Sequence, residues 1–170
     1  SSNWTQLALG WLLYFSFGVV MSSPVPVVTL LMRDLGLSYT EIGAVLGAWQ
    51  LFFVGAAAPA GILIDRVGPK KALVVGAAII AASALLRSFA DGFWFLFFVV
   101  GLFGIGGPVI SIGLAKLVAD WFVGPSRGLA SGVYITGSAA GSMLVLALSN
   151  SLVLPLAGSW RNVLLVYACV

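Results

Sequence analysis

Histidine is absent from this 170-residue sequence, cysteine occurs once, and charged residues make up only 8% of the chain. Cys169 has no second cysteine to pair with here, so an intrachain disulfide is excluded. Zinc and haem centres usually need histidine or cysteine ligands, and we expect no metal site and no cofactor. Ordinary soluble domains carry roughly 25% charged residues. The shortage of charge therefore argues against a soluble fold.

Long apolar runs occupy most of the sequence. Hydrophobic residues account for 61% of it, and the mean hydropathy is +1.15. Apolar runs of about 20 residues match a hydrocarbon layer roughly 30 Å thick. We therefore predict an all-α fold, a polytopic transmembrane helical bundle that lies in the lipid bilayer. The predicted spans are residues 5–31, 39–62, 71–89, 93–119 and 128–153, with the start of a sixth at 160–170.

The first predicted span contains two prolines near its end. Pro24 and Pro26 follow Ser22 and Ser23. Proline lacks a backbone N–H, and nearby serine hydroxyls can bond to the backbone groups that it frees. We expect either a kinked or unwound segment here or a plain helix end.

Lysine and arginine are unevenly divided between the two ends of the spans. Cationic loops resist translocation and stay in the cytoplasm. One end has five cations and the other has three. These are Arg66, Lys70, Lys71, Lys116 and Arg127 at the first end, and Arg33, Arg87 and Arg161 at the second. We predict a plasma (inner) membrane protein with a cytoplasmic N-terminus. The cations are too scattered to form a nucleic-acid-binding face.

Arg87 and the glycines within the spans carry specific expectations. Arg87 is expected at the membrane boundary, paired with Asp91, although it could instead attract anions at an entrance. Small residues recur at four-residue spacing, as in Gly43 and Gly47 or Gly137 and Gly141, and are expected to allow close helix contact. The denser cluster from Gly101 to Pro108 is interpreted as a place where its helix can bend.

The connection between the second and third spans carries the most specific motif. Residues 61–73 read Gly-x-Leu-x-Asp-Arg-x-Gly-x-Lys-Lys-x-Leu. Gly61 is expected to allow tight packing, Asp65 places a negative charge at the membrane face, and Gly68 permits a left-handed turn. Lys70 and Lys71 would hold the loop in the cytoplasm. A generic cationic loop would need only the lysines.

This pattern resembles the signature loop between helices two and three of the major facilitator superfamily. The resemblance extends over the whole chain through span number and loop length. It implies the N-terminal six-helix half of a secondary transporter, truncated in helix six. It also implies a conformational-switch loop in which the carboxylate of Asp65 meets a helix of the C-terminal half. The residues assigned to that loop are Gly61, Asp65, Arg66, Gly68, Lys70, Lys71 and Arg127.

A subgroup is suggested by further residues. Arg87-Ser88, the glycine run at 104–107, Lys116 and the stretch 127–141 resemble the cyanate permease and nitroimidazole transporter group. Nitrate/nitrite and monocarboxylate or oxalate/formate carriers remain alternatives. These groups imply a small anionic substrate.

The substrate site is expected near the membrane midplane, on helices that the family assigns to a central cavity. Gln50 is the leading candidate, because a buried amide must find hydrogen-bond partners. It could equally bond two helices together. The full candidate set is Tyr14, Ser16, Trp49, Gln50, Ser111, Tyr134, Thr136 and Ser138.

We therefore expect a transporter, not an enzyme, that moves a small organic or inorganic anion by alternating access. Its expected partners are the lipid bilayer, the small-molecule substrate and the C-terminal half. The alternatives are a non-transporting membrane sensor or scaffold and an efflux carrier for drugs or nitro compounds. No span or loop combines a nucleophile with a base or a metal-ligand set, so an enzyme is poorly supported.

Overall fold

A computed structural model describes residues 2–149, 151, 155 and 158–168. Within them the chain is helical and contains no β-strand. The fold is an all-α transmembrane bundle, as predicted. The helices are α1 (Ser2–Ser22), α2 (Val28–Leu35), α3 (Tyr39–Val67), α4 (Pro69–Arg87), α5 (Phe93–Trp121), α6 (Pro125–Leu148) and α7 (Trp160–Ala168).

Among the described residues, five stretches are long and apolar enough to cross a membrane. They are Asn3–Leu35, which joins α1 and α2, and the four helices α3 to α6. Helix α3 runs five residues beyond the predicted end at 62, because nothing breaks it before Gly68. The ends predicted at 153 and 170 lie outside the described residues.

The first span is broken where its prolines lie. Helix α1 ends at Ser22, a short 3₁₀ turn covers Val25–Val27, and α2 follows. Pro24 has no N–H to donate to the carbonyl of Val20, four residues earlier. The hydroxyl of Ser23 donates to that carbonyl instead, at 2.9 Å. Of the two expectations, the unwound segment is the one present, and a serine hydroxyl bonds to the freed carbonyl.

Arg87, the last residue of α4, lies against this break. It is 1% exposed, and its Nη1 donates to the Val20 carbonyl at 2.6 Å and to Ser23 Oγ at 3.1 Å. Asp91 is exposed and forms no ion pair with it in the described part of the chain. The expected Arg87–Asp91 pair was wrong. Arg87 points inward from α4 and donates to the Val20 carbonyl of α1, to which Pro24 cannot donate an N–H.

Helix α5 is the centre of the bundle and packs against α3 and α4, while α1 packs against α6. Glycines set these contacts. A Cβ on Gly104 would collide with the carbonyl oxygen of Trp49, and one on Gly141 would collide with that of Phe15. Helices in lipid gain stability mainly from such close van der Waals packing. The same close approach accounts for the glycine cluster around Gly104, so its presence does not require a hinge.

Not every glycine pair serves these contacts. A Cβ on Gly43 or Gly47 of α3, or on Gly128 or Gly132 of α6, would meet no atom within 4 Å in the described structure. These glycines leave two helix faces open.

Helix α7 lies at the end of the bundle where α2 and α4 end. Trp160 Nε1 donates to Asp34 Oδ2 of α2 at 2.5 Å. Arg161 Nη1 donates to the carbonyl of Ser88, at the end of α4, at 2.8 Å. The two bonds connect the last described helix to the first and third spans.

We expect Gly104→Ala to lower the free energy of unfolding by about 1 to 3 kcal/mol, the usual cost of overpacking. The added methyl group has to push α5 away from the backbone of α3. Thermal unfolding of the purified full-length protein in detergent measures this. Gly55→Ala, at another α3 position where a Cβ would meet no described atom within 4 Å, is the matched control and should change stability far less. Equal stability of the two variants would contradict the packing role of Gly104.

Candidate functional site

A cleft of about 450 Å³ opens between α1, α3, α5 and α6. Five of the eight predicted substrate residues line it together: Tyr14, Trp49, Gln50, Ser111 and Ser138. The remaining lining residues are Phe17, Met21, Phe53 and Val54. None of these nine side chains is charged. The wall is therefore aromatic and apolar, with one amide and three hydroxyl-bearing residues.

The other three predicted residues lie outside this lining. Tyr134 is buried, and its ring lies edge-on to Tyr14 at 5.6 Å, directly behind the wall. Thr136 Oγ1 accepts a hydrogen bond from Trp11 Nε1 at 2.9 Å and donates to the Val133 carbonyl at 2.6 Å. Ser16 donates to the Leu12 carbonyl of its own helix at 3.1 Å. Thr136 thus connects α6 to α1 and does not line the cleft.

Gln50 is exposed in the cleft and makes no side-chain hydrogen bond to another described residue. The alternative that it bonds two helices of this bundle together finds no support in these contacts. Its amide is available to a molecule in the cleft as both donor and acceptor.

An aromatic layer supports the wall. The ring centroids of Tyr14 and Phe17 lie 5.2 Å apart, and Phe103 lies behind them, 4.9 Å from Phe17 and 5.9 Å from Trp49. Sequence reasoning missed Phe17, Phe53 and Met21. Helical spacing carried the signal, since positions three, four or seven residues from Tyr14 and Trp49 share their faces.

The predicted signature loop forms a one-residue connection. Gly68 has φ +87°, which a side-chain-bearing residue rarely adopts, and its N–H donates to the Ile64 carbonyl at 2.9 Å. Helix α4 begins at the next residue, Pro69. The turn expected at Gly68 is present. No described neighbour explains Gly61, where a Cβ would have no atom within 4 Å.

Asp65 pairs with a lysine from another helix. Lys116 Nζ of α5 lies 2.7 Å from Asp65 Oδ1, with the two side chains 42% and 72% exposed. Exposed pairs of this kind contribute about 0 to 1 kcal/mol. The carboxylate is thus held in place weakly and remains accessible. Arg66, Lys70 and Lys71 are all exposed.

Arg127 binds the end of α5. Its Nη2 donates to the Ala119 carbonyl at 2.8 Å and its Nε to the Phe122 carbonyl at 3.1 Å. The last carbonyls of a helix carry partial negative charge, so a cation there is stabilising. Arg127 connects the start of α6 to the end of α5, at the same end of the bundle as Asp65 and Lys116.

The family comparison agrees with this architecture. The sequence model of the Major Facilitator Superfamily matches residues 10–170. The chain therefore belongs to that superfamily.

Individual relatives are transporters by name. The chain is 34% identical over 124 residues to the "Probable L-galactonate transporter" of Escherichia coli, covering 70% of this chain and 26% of the relative. It is 31% identical to the "Nitrate/nitrite transporter NrtP" of Picosynechococcus sp., covering 75% and 24%. It is also 31% identical to the "Uncharacterized MFS-type transporter EfpA" of Mycobacterium tuberculosis, covering 86% and 28%. The matched region is thus about a quarter of each relative.

We expect a cysteine at position 50 to react with a water-soluble maleimide, because the Gln50 side chain is exposed in the cleft. Ser83→Cys is the matched control, since Ser83 is 0% exposed and cysteine has nearly the same size. Mass spectrometry of the full-length protein, in a background without other reactive cysteines, reports the extent of labelling. Equal labelling at positions 50 and 83 would contradict the described cleft.

Proposed function

We propose that this chain forms the N-terminal half of a secondary carrier that moves a small anion across the plasma membrane by alternating access. The cleft is the observation that carries the proposal. Transporter sites lie near the midplane, between helices of the two repeats. Here an amide, hydroxyls and aromatic rings from four helices converge in one space of about 450 Å³.

An anionic cargo is supported by two observations. L-Galactonate and nitrate, the cargoes in the names of two relatives, are both anions. No carboxylate lines the cleft to repel such a molecule. The amide N–H₂ of Gln50 and the hydroxyls of Tyr14 and Ser138 offer donors, which anions require.

A second half is supported by the open glycine faces. Gly43 and Gly47 of α3, and Gly128 and Gly132 of α6, present bare backbone with no described neighbour. Bare backbone allows another helix to approach closely. The cleft lies on these same two helices. The C-terminal half would then cover both faces and complete the site.

Asp65 is proposed to act as a conformational switch. Its weak, exposed pair with Lys116 can be exchanged for the positive N-terminal end of a helix in the other half. The loop would lie in the cytoplasm, where its cations retain it, with the N-terminus on the same side.

Efflux of apolar drugs is the second candidate function. Phe17, Met21 and Phe53 make much of the wall apolar, and methionine adapts to varied ligands. A sensor or scaffold built on the same bundle is the third, but it gives the exposed Gln50 amide no role.

Flux through vesicles separates these functions. Full-length protein in liposomes should take up radiolabelled nitrate or L-galactonate with saturation. Efflux of ethidium without anion uptake would favour the drug carrier. Flux no greater than in empty liposomes for all three compounds would contradict transport.

We expect Asp65→Lys to reduce the transport rate by on the order of tenfold, since about 1.4 kcal/mol of switch stabilisation corresponds to that factor. Reversal removes the attraction to a positive helix end and places a second cation beside Lys116. Uptake into vesicles with matched protein content measures the change. Asp91→Lys, at an exposed position near the other end of the bundle, is the control. Unchanged uptake in Asp65→Lys would overturn the switch role.

A further inference from the structure

Arg87 is a buried cation without a counter-ion in the described structure. Its hydrogen-bond partners, the Val20 carbonyl and Ser23 hydroxyl, are neutral, and its Nε has no partner. All five acidic side chains of the sequence are described, and none pairs with it. Arginine keeps its charge even when buried. An uncompensated charge in the interior is costly, so its presence calls for a reason.

The charge lies directly behind the cleft wall. The guanidinium carbon stands 5.4 Å from the centre of the Phe103 ring. Phe103 in turn contacts Phe17 and Trp49, with centroids 4.9 and 5.9 Å away, and both of these rings line the cleft. Arg87 is therefore separated from the cleft by layered aromatic side chains.

Aromatic side chains screen a charge poorly. Water and mobile ions weaken the field of a surface charge, but rings in contact, with centroids 4.9 and 5.9 Å apart, leave no room for either. At roughly 10 Å and an effective dielectric constant of about 20, one unit charge changes the occupancy of another by on the order of tenfold. No charged side chain lines the cleft to oppose this field.

We propose that Arg87 determines the charge specificity of the cleft: its buried, unpaired guanidinium favours anions there without touching them. The inference rests on the proposed function, because it deepens the assignment of an anionic cargo to this cleft. It differs from a purely structural role, in which Arg87 only binds the carbonyl freed by Pro24. A structural role depends on hydrogen bonds, whereas the proposed role depends on charge.

The field can be measured without knowing the cargo. A cysteine replaces Gln50 in full-length protein that has no other reactive cysteine. Its reaction rates are measured with an anionic reagent, sulfonatoethyl methanethiosulfonate, and with a cationic one, trimethylammonioethyl methanethiosulfonate. The ratio of the two rates reports the local potential, because any change in thiol ionisation or general access cancels.

Three variants separate charge from geometry. Arg87→Gln removes the charge but keeps a hydrogen-bond donor, and Arg87→Lys keeps the charge but changes the geometry. Arg33→Gln removes an exposed arginine from the same end of the bundle, 3.5 Å from Asp34. Residues of the second half contribute equally in every variant.

We expect the anionic-to-cationic ratio to fall at least about tenfold in Arg87→Gln and to stay within about threefold of the parent in Arg87→Lys and Arg33→Gln. A ratio in Arg87→Gln within about twofold of the parent would overturn the proposal. An equal fall in Arg87→Lys would do so too, because geometry would then be responsible. An equal fall in Arg33→Gln would show a general surface effect and would likewise overturn it.

A second variant covers the case in which Arg87→Gln does not fold. Arg87→Met keeps a long side chain and removes the charge, and its ratio is compared with that of the parent. A fall of at least about tenfold supports the proposal, and a ratio within about twofold of the parent overturns it. Transport is not needed for either readout, so absence of flux in vesicles would count against the proposed function alone.

Discussion

Direct contact between helix backbones is the constraint on which the rest of this bundle depends. Lipid gives two apolar helices little reason to associate, so they must approach closely enough for dispersion forces to accumulate. Gly104 brings α5 onto the backbone of α3, and Gly141 brings α6 onto that of α1. The points of contact are Trp49 on α3 and Phe15 on α1, so they fix how each helix lies against its partner. The cleft lies between the two helix pairs, and its shape follows from them.

Sequence reasoning succeeded where chain chemistry dictates local geometry. The closely spaced Pro24 and Pro26 interrupt the first span, whereas the single Pro59 and Pro108 lie inside α3 and α5. A glycine followed by proline ends α3 and begins α4. Such effects act within a few residues. The loop after α3 pointed to the superfamily for the same reason, because Asp65, Gly68 and the lysines occur there at the spacing of its signature.

Helix rotation explains most of what the sequence could not reveal. Side chains two residues apart on a helix point in nearly opposite directions. Tyr14 and Ser16 therefore cannot both line the cleft, and neither can Thr136 and Ser138. In a helix that is apolar all round, no polar stripe shows which side faces inward. The inward direction of Arg87 escaped detection for that reason, since it depends on the break in a different helix.

The connection at Gly68 also affects how motion passes through the protein. Helices α3 and α4 are separated by that single residue, and consecutive Cα atoms lie only about 3.8 Å apart, so the two helix ends must stay close together. A tilt of α3 at this end must therefore also move the first residues of α4. Helix α4 ends at Arg87, whose guanidinium donates a hydrogen bond to the Val20 carbonyl. A single helix, α4, thus links the Gly68 connection at one end of the bundle to the break in the first span at the other.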